Sequence, residues 1–207
     1  PSQRKLVSGQ FKGSVKVSGG AGTGKTVAAL HRLKWLSEIT PKESKILFTT
    51  YTKALTENLN HLVSGLDIDK SKVTLTNIDD LLGDLIKQYQ LLEEGYKVFE
   101  YSSVKKSQDI WEEIVSSELT SYSPEFLEKE FKDVILYNNV QSLQEYIRTS
   151  RKGRGKPVSR RQRTEIWSFI EKFNEVRAEK SLYYRDELYN ILSDHFNSNN
   201  IRLFDHC

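Results

Sequence analysis

Val15 and Val17 alternate with Ser14, Lys16 and Ser18, the two-residue period of a strand. Past Gly24 the period changes. In KTVAALHRLKWLSEI the apolar residues Val27, Leu30, Leu33 and Leu36 recur every three or four positions, which predicts a helix, and Pro41 closes it. KILFTTYT, Lys45–Thr52, is rich in β-branched and aromatic residues and predicts a second strand. ALTENLNHLVSGL predicts a helix with Gly65 near its end. SKVTLTN, Ser71–Asn77, predicts a third strand, and IDDLLGDLIKQYQLL a further helix. Strand and helix alternating in this way predict an α/β fold, a parallel sheet covered by helices.

Beyond about Leu92 strand signals become scarce. SQDIWEEIVSSEL, SPEFLEKEFKDVIL, VQSLQEYIR and RTEIWSFIEKFNEVRAEK all carry helical periods, the last with Ile166, Phe169, Ile170, Phe173 and Val176 on one face. Ser123 before Pro124, with Glu128 close behind, marks a helix start. RKGRGKPVS predicts a glycine-punctuated basic loop or a break between helices. A final helix is expected over about 184–196, followed by the polar turn NSNN and the apolar IRLF. Trp35, Trp111 and Trp167 fall within helical patterns and are expected in the core.

Composition narrows the picture. The chain has 207 residues, 37% hydrophobic, enough for one large domain or two small ones at about 100–200 residues each. Its single cysteine, Cys207, rules out an internal disulfide framework and suits a reducing cytoplasm. No apolar run approaches the ~20 residues that span a bilayer. Pro1 at the start and the absence of methionine suit a piece of a longer protein. Net charge is only +3, yet RTSRKGRGKPVSRRQR, Arg148–Arg163, holds eight Lys/Arg and no acid, so the remainder is net acidic.

The strongest local signal lies between the first strand and its helix. Gly19-x-x-x-x-Gly24-Lys25-Thr26 fits the phosphate-loop pattern in the required order of strand, loop and helix. Glycines permit positive φ, so the backbone N–H groups of Gly20, Ala21, Gly22, Thr23 and Gly24 can close around phosphate oxygens. The helix beginning near Gly24 turns its positive end toward the anion. Lys25 is expected at the β- and γ-phosphates and the Thr26 hydroxyl on Mg²⁺, which implies ATP and Mg²⁺ as ligands.

Phosphoryl transfer also needs a metal-binding Asp at the end of a neighbouring strand. VTLTNIDD offers Asp79 and Asp80, but its run is interrupted by Thr74, Thr76 and Asn77, and acids also suit a first helical turn. IRLFD offers Asp205 after a short run. The simplest expectation is that the carboxylate strand lies beyond Cys207. His31, His61, His195 and His206 have no metal-ligand spacing.

Together these segments resemble the N-terminal part of superfamily 1 helicases of the UvrD/Rep type. PSQRKLV resembles the Q motif, in which Gln3 would read the adenine edge. SGGAGTGKT corresponds to motif I, and LFTTYTKAL is similar to motif Ia, whose Thr-Thr-aromatic core contacts single-stranded DNA. VTLTNIDDLL resembles motif Ib, with Asn77-Ile78 where Phe-His is common. YRDELYNIL resembles the helix that re-enters the first motor domain, and LFDHC the lead-in to motif II. The resemblance implies a P-loop NTPase (RecA-like) parallel sheet, incomplete, with an inserted mostly helical subdomain. It divides the chain into residues 1–83 of the first motor domain (1A), a helical 1B-like insertion over 84–182, and a return to 1A over 183–207. It implies an ATP-dependent 3′–5′ DNA helicase or translocase whose motif II acids and second motor domain are missing, so that this fragment alone would not hydrolyse ATP.

The nucleic-acid candidates follow partly from this resemblance. Tyr51 could stack on a base, and Thr49, Thr50 and Thr76 could donate to backbone phosphates. Arg151, Lys152 and Arg154 in the basic run could track the backbone of single-stranded or duplex DNA, with RNA equally served by such contacts. Two alternatives stay open. One is a self-contained P-loop kinase or ATPase holding its metal with Asp79 or Asp80. The other is a non-catalytic nucleic-acid-binding module.

Overall fold

The computed structural model describes residues 2–100, 107–151 and 157–207, apart from the side chains of Ser2 and Gln3. Chain contacts divide it into two units, one of Pro1–Asp84 with Asn199–Cys207 and one of Leu85–Ser198.

The first unit is built on β1 (Ile46–Thr50) and β2 (Val73–Asn77), paired in parallel with Ile46 opposite Val73 and Thr50 opposite Asn77. Parallel strands need a long crossover, and α3 (Lys53–Ser64) supplies it. Before β1 come α1 (Ser2–Ser8) and α2 (Lys25–Ile39), and after β2 comes α4 (Ile78–Gln88). Leu30 and Leu33 of α2, Ile46 of β1, Leu59 and Val63 of α3, and Ile68 form the core of this unit. Each such buried side chain contributes about 1.5–3 kcal/mol relative to exposure. Val27, grouped with the apolar face by its spacing, is 56% exposed.

Successive N–H groups of a strand point to opposite edges. Ile46 N donates to Lys72 O at 2.7 Å on the β2 side, and Leu47 N donates to His206 O at 2.8 Å on the other. A parallel bridge between Ile46 and His206 marks that second edge. The strand expected over Ser14–Ser18 is therefore not in the sheet. The segment carries no strand hydrogen-bond ladder, and Val15 and Val17 are 49% and 46% exposed. Alternation gives a segment strand character, but only a partner edge makes a strand, and here that edge of β1 faces His206.

One buried cation, Lys72, and one half-buried cation, Arg32, fix the helices of this unit. Lys72, 8% exposed, donates from Nζ to Ser37 O at 2.7 Å and Thr40 O at 2.9 Å, which satisfies the end of α2. Arg32 Nη1 donates to Leu6 O, Val7 O and Gly9 O at 3.1, 3.1 and 2.9 Å, and so ties the end of α1 to α2.

The second unit is mostly helical. It contains α5 (Ser107–Ser116), α6 (Pro124–Glu130), a π-helix over Phe131–Leu136, α7 (Leu143–Arg148), α8 (Arg160–Glu179) and α9 (Arg185–Asn199). A short parallel pair joins β3 (Lys97–Val98) to β4 (Leu182–Tyr183). Ser123 caps α6 through Phe126 N, and Ser159 with Gln162 forms a capping box on α8. Aromatics fill the core, with Trp111 stacked on Phe173 at 4.1 Å between centroids and Phe131 and Tyr184 beside them. Trp111 is fully buried in this core, Trp167 packs half-buried against it, and Trp35 is half-buried. α9 groups with this unit, and the ring of Tyr89 meets His195 at 5.1 Å and Phe196 at 5.5 Å. The chain rejoins the first unit at Asn199. Among the described residues, no helix is long and apolar enough to cross a membrane.

Candidate functional site

α2 starts on a left-handed residue. Gly24 occupies its N-cap at φ 80°, ψ 18°, with no side-chain cap, and Gly22 lies at φ 74°. A side chain at either position would be strained. The loop is also drawn tight, since a Cβ added at Gly19 would meet Thr23 Oγ1 at 2.9 Å. The first helical hydrogen bond runs from Ala28 N to Gly24 O at 2.9 Å. The N–H groups of Lys25, Thr26 and Val27 therefore have no acceptor within the helix and lie at its positive end. In the turn of Gly19, Gly20, Ala21, Gly22, Thr23 and Gly24, the Lys25 ammonium donates to Gly19 O at 2.8 Å, Gly20 O at 2.5 Å and Thr23 Oγ1 at 3.4 Å. Thr23 Oγ1 closes the turn on Gly20 O at 2.9 Å.

Lys25 and Thr26 line a cavity of about 880 Å³ in the first unit, shared with Phe11, Arg32, Thr49 and Asp205. Arg32 lies over the Phe11 ring at 4.9 Å and the Trp35 ring at 5.4 Å, so the cavity offers an aromatic and a guanidinium face. Spacing did not flag these two residues. The only sequence signal was a cation, Arg32, between the core positions Leu30 and Leu33. Gln3 sits on α1, and its side chain is outside the described residues.

The carboxylates divide clearly. Asp205 lines the cavity, and its Oδ2 accepts from Lys45 N at 2.9 Å. Asp79 and Asp80 do not line it; they lie in the first turn of α4. Asp80 pairs with Lys53 at 2.9 Å, accepts from Asn77 Nδ2 at 2.6 Å, and its N–H donates to Asn77 Oδ1 at 2.9 Å. The Lys53 hydrogen bond holds the Asp80 carboxyl below the usual carboxylate range. Asp80 thus starts a helix and pairs with Lys53, outside the lining of the cavity that Lys25 and Thr26 share.

The nucleic-acid candidates separate in the same way. Tyr51 follows β1 and is 77% exposed, open to stacking. Thr49 and Thr76 are half-buried and opposite each other in register. Thr50 is only 9% exposed; its hydroxyl donates to Thr52 O at 3.0 Å and shares a 2.6 Å hydrogen bond with Thr56. Arg151 is likewise withdrawn. Its side chain is 6% exposed and grips the fully buried Glu130. Lys152 and Arg154 lie outside the described residues.

No curated protein matches the chain. The family of UvrD/REP helicase N-terminal domains matches residues 1–203. With almost its whole length covered, the chain belongs to the UvrD/REP helicase family.

Proposed function

We propose that the chain is the nucleotide-binding and strand-contacting part of an ATP-dependent DNA helicase or translocase, and that its first unit is a P-loop, RecA-like 1A domain carrying a 1B-like helical insertion. The observation that carries this is the loop Gly19–Thr26 at the open N-terminal end of α2, with Lys25 inside it and an 880 Å³ cavity beside it. The residues fit a triphosphate. Backbone N–H groups face the anion, Lys25 exchanges its loop carbonyls for β- and γ-oxygens, and the Phe11 and Arg32 faces accommodate the base, with Gln3 reading its edge. In this reading the Thr26 hydroxyl would hold Mg²⁺, which when bound would neutralise charge on the transferring phosphoryl group.

Among the described residues lining the cavity, Asp205 is the one carboxylate, and Lys45 N already engages it. We expect the chain to bind nucleotide without turning it over. The parallel pairing of residues 205–206 with β1 supports reading LFDHC as the approach to the strand that carries the catalytic acids. In the whole enzyme, closure on ATP against a second motor domain would shift a single strand past Tyr51 in the 3′–5′ sense, in the cytoplasm.

The test is equilibrium binding of a fluorescent ATP analogue with Mg²⁺ to the 207-residue chain and to Lys25→Ala. Lys25→Ala should weaken binding at least tenfold, the loss of one charge-assisted contact. Equal affinity in the two proteins would overturn the proposal. Mg²⁺-dependent binding that is lost in Asp80→Ala but kept in Tyr51→Ala would transfer it to the self-contained kinase reading.

A further inference from the structure

The helical unit holds a second cavity, of about 340 Å³, between the π-helix, α8 and α9. We propose that it binds an organic cation on an apolar stem, specifically the side chain of an arginine in a peptide partner. This goes beyond the motor reading and does not depend on it.

Four features lead to this class of ligand. The floor is apolar, with Ile135 and Leu136 5% and 7% exposed, and suits the methylene stem of a long side chain. The half-buried ring of Trp167 lines one wall, and a tryptophan face attracts a guanidinium. The cation already present, Arg177, is neutralised by Glu187 at 2.6 Å and lies over the rings of Phe131 and Phe173 at 5.4 and 5.9 Å. Asp194 supplies an exposed carboxylate at the rim. It accepts from Asn139 Nδ2 at 3.2 Å, and among the described residues it makes no ion pair. The lining carries two carboxylates and one guanidinium, a net negative charge.

That balance decides between flat polar ligands. A nucleobase would suit the ring and the carboxamide edges, but its phosphates would lie near Asp194 and Glu187, where like charge opposes them. A guanidinium takes the same planar slot with the opposite charge, and the volume is within the range of small-ligand sites. The π-helix helps form the site: the bonds from Tyr137 N to Lys132 O and from Val140 N to Ile135 O widen the turn, and Asn139 beyond it takes φ 50°.

The experiment is a ¹H–¹⁵N titration of the whole chain, following the Trp167 indole N–H signal, assigned by its absence in Trp167→Phe. The probes are acetyl-Gly-Arg-Gly-amide, spermidine and adenosine. The arginine peptide should shift the signal saturably, and Asp194→Asn should weaken that binding about tenfold while leaving the other two indole signals in place. A matching response to spermidine would keep the cation site and assign it to free polyamines. No saturable shift with either cation, an undiminished affinity in Asp194→Asn, or a response to adenosine alone would overturn the proposal.

Discussion

Arg151 grips Glu130 through two parallel hydrogen bonds, Nε to Oε1 at 2.6 Å and Nη2 to Oε2 at 2.7 Å, with the carboxylate fully buried. Tyr146 adds a third, its hydroxyl donating to Oε1 at 2.6 Å. Glu130 is the last residue of α6, next to the π-helix, so this network joins α6, α7 and the chain after α7. Removing one partner of a buried pair strands the other charge. Arg151→Ala should destabilise the chain by about 3–5 kcal/mol. Arg151→Lys should recover only part of that, because an ammonium cannot make the paired contact. Urea unfolding checks both, and a loss below about 1 kcal/mol in Arg151→Ala would show that the pair does not hold this unit together.

Lys53 and Asp80 form the opposite kind of pair, largely exposed at 72% and 44% of their side chains. The Lys53 hydrogen bond is the main cause that lowers the Asp80 carboxyl, and the same contact raises the Lys53 ammonium. A carboxyl lowered on folding contributes stability that is complete above its unfolded value of ~3.9 and fades as pH falls through the lower folded value. The raised lysine contributes fully below its unfolded value of ~10.4, and that part fades as pH rises through the higher folded value. Exposure keeps both effects small. In Lys53→Met the Asp80 titration, followed by carboxyl ¹³C signals between about pH 2 and 6, should move up toward the ordinary carboxylate range. An unmoved midpoint would assign the shift to Asn77 alone.

Helix positions were legible in the sequence wherever apolar spacing was strong, as in α2, α5 and α8. The parallel pair β1–β2 was legible because both runs are rich in β-branched residues. Ser14–Ser18 has the same alternation and is not a strand, since pairing depends on which edge is available, and alternation says nothing about edges. The π-helix was hidden because FKDVIL carries the composition of an ordinary helix. The turn Gly19–Thr26 ahead of α2 was legible residue by residue, since its glycine pattern is local in sequence. Phe11 and Arg32 reach the cavity only through folding of α1 onto α2. Arg151 showed the reverse problem. Within a run of like charges it looked like surface, and its partner Glu130 lies 21 residues away.

Asn77 at the end of β2 couples strand to helix. It is 3% exposed, and its side chain both receives the Asp80 N–H and donates to the Asp80 carboxylate. This is a reciprocal helix-start contact of the kind that contributes about 0.5–2 kcal/mol. Asn77→Ala should cost that amount in urea unfolding, and Asn77→Asp should cost as much or more, because two carboxylates would then face each other. If Asn77→Asp proves more stable than the native chain, Lys53 must compensate both acids.

Lys72 is buried by an argument a surface lysine does not satisfy. Its ammonium meets Ser37 O and Thr40 O at the end of α2, the helix whose other end follows the Gly19–Gly24 turn. Lys72→Met keeps the stem volume but leaves two carbonyls without their donor, at a cost of about 1–3 kcal/mol per stranded group. Thermal unfolding should fall accordingly. Nucleotide affinity should change much less than in Lys25→Ala, since the lost contact is at the far end of α2.

Tyr51 separates strand contact from folding. At 77% exposure its ring packs on little, so Tyr51→Ala should leave stability within about 0.5 kcal/mol of the native chain. Stacking on a base contributes about 1–3 kcal/mol, so the same change should weaken binding of an oligothymidine by about 5- to 150-fold. Tyr51→Phe should retain most of the affinity, because the ring face and not the hydroxyl does the stacking. Fluorescence anisotropy at fixed salt reads all three proteins. Salt dependence supplies the control: the slope of log affinity against log salt, about −0.7 per phosphate contact on single strands, should be unchanged in Tyr51→Ala, because a neutral ring releases no counterions. A slope that flattens in that variant would mean that the substitution disturbs the neighbouring cations, and equal affinity in Tyr51→Ala would remove this residue from the strand path.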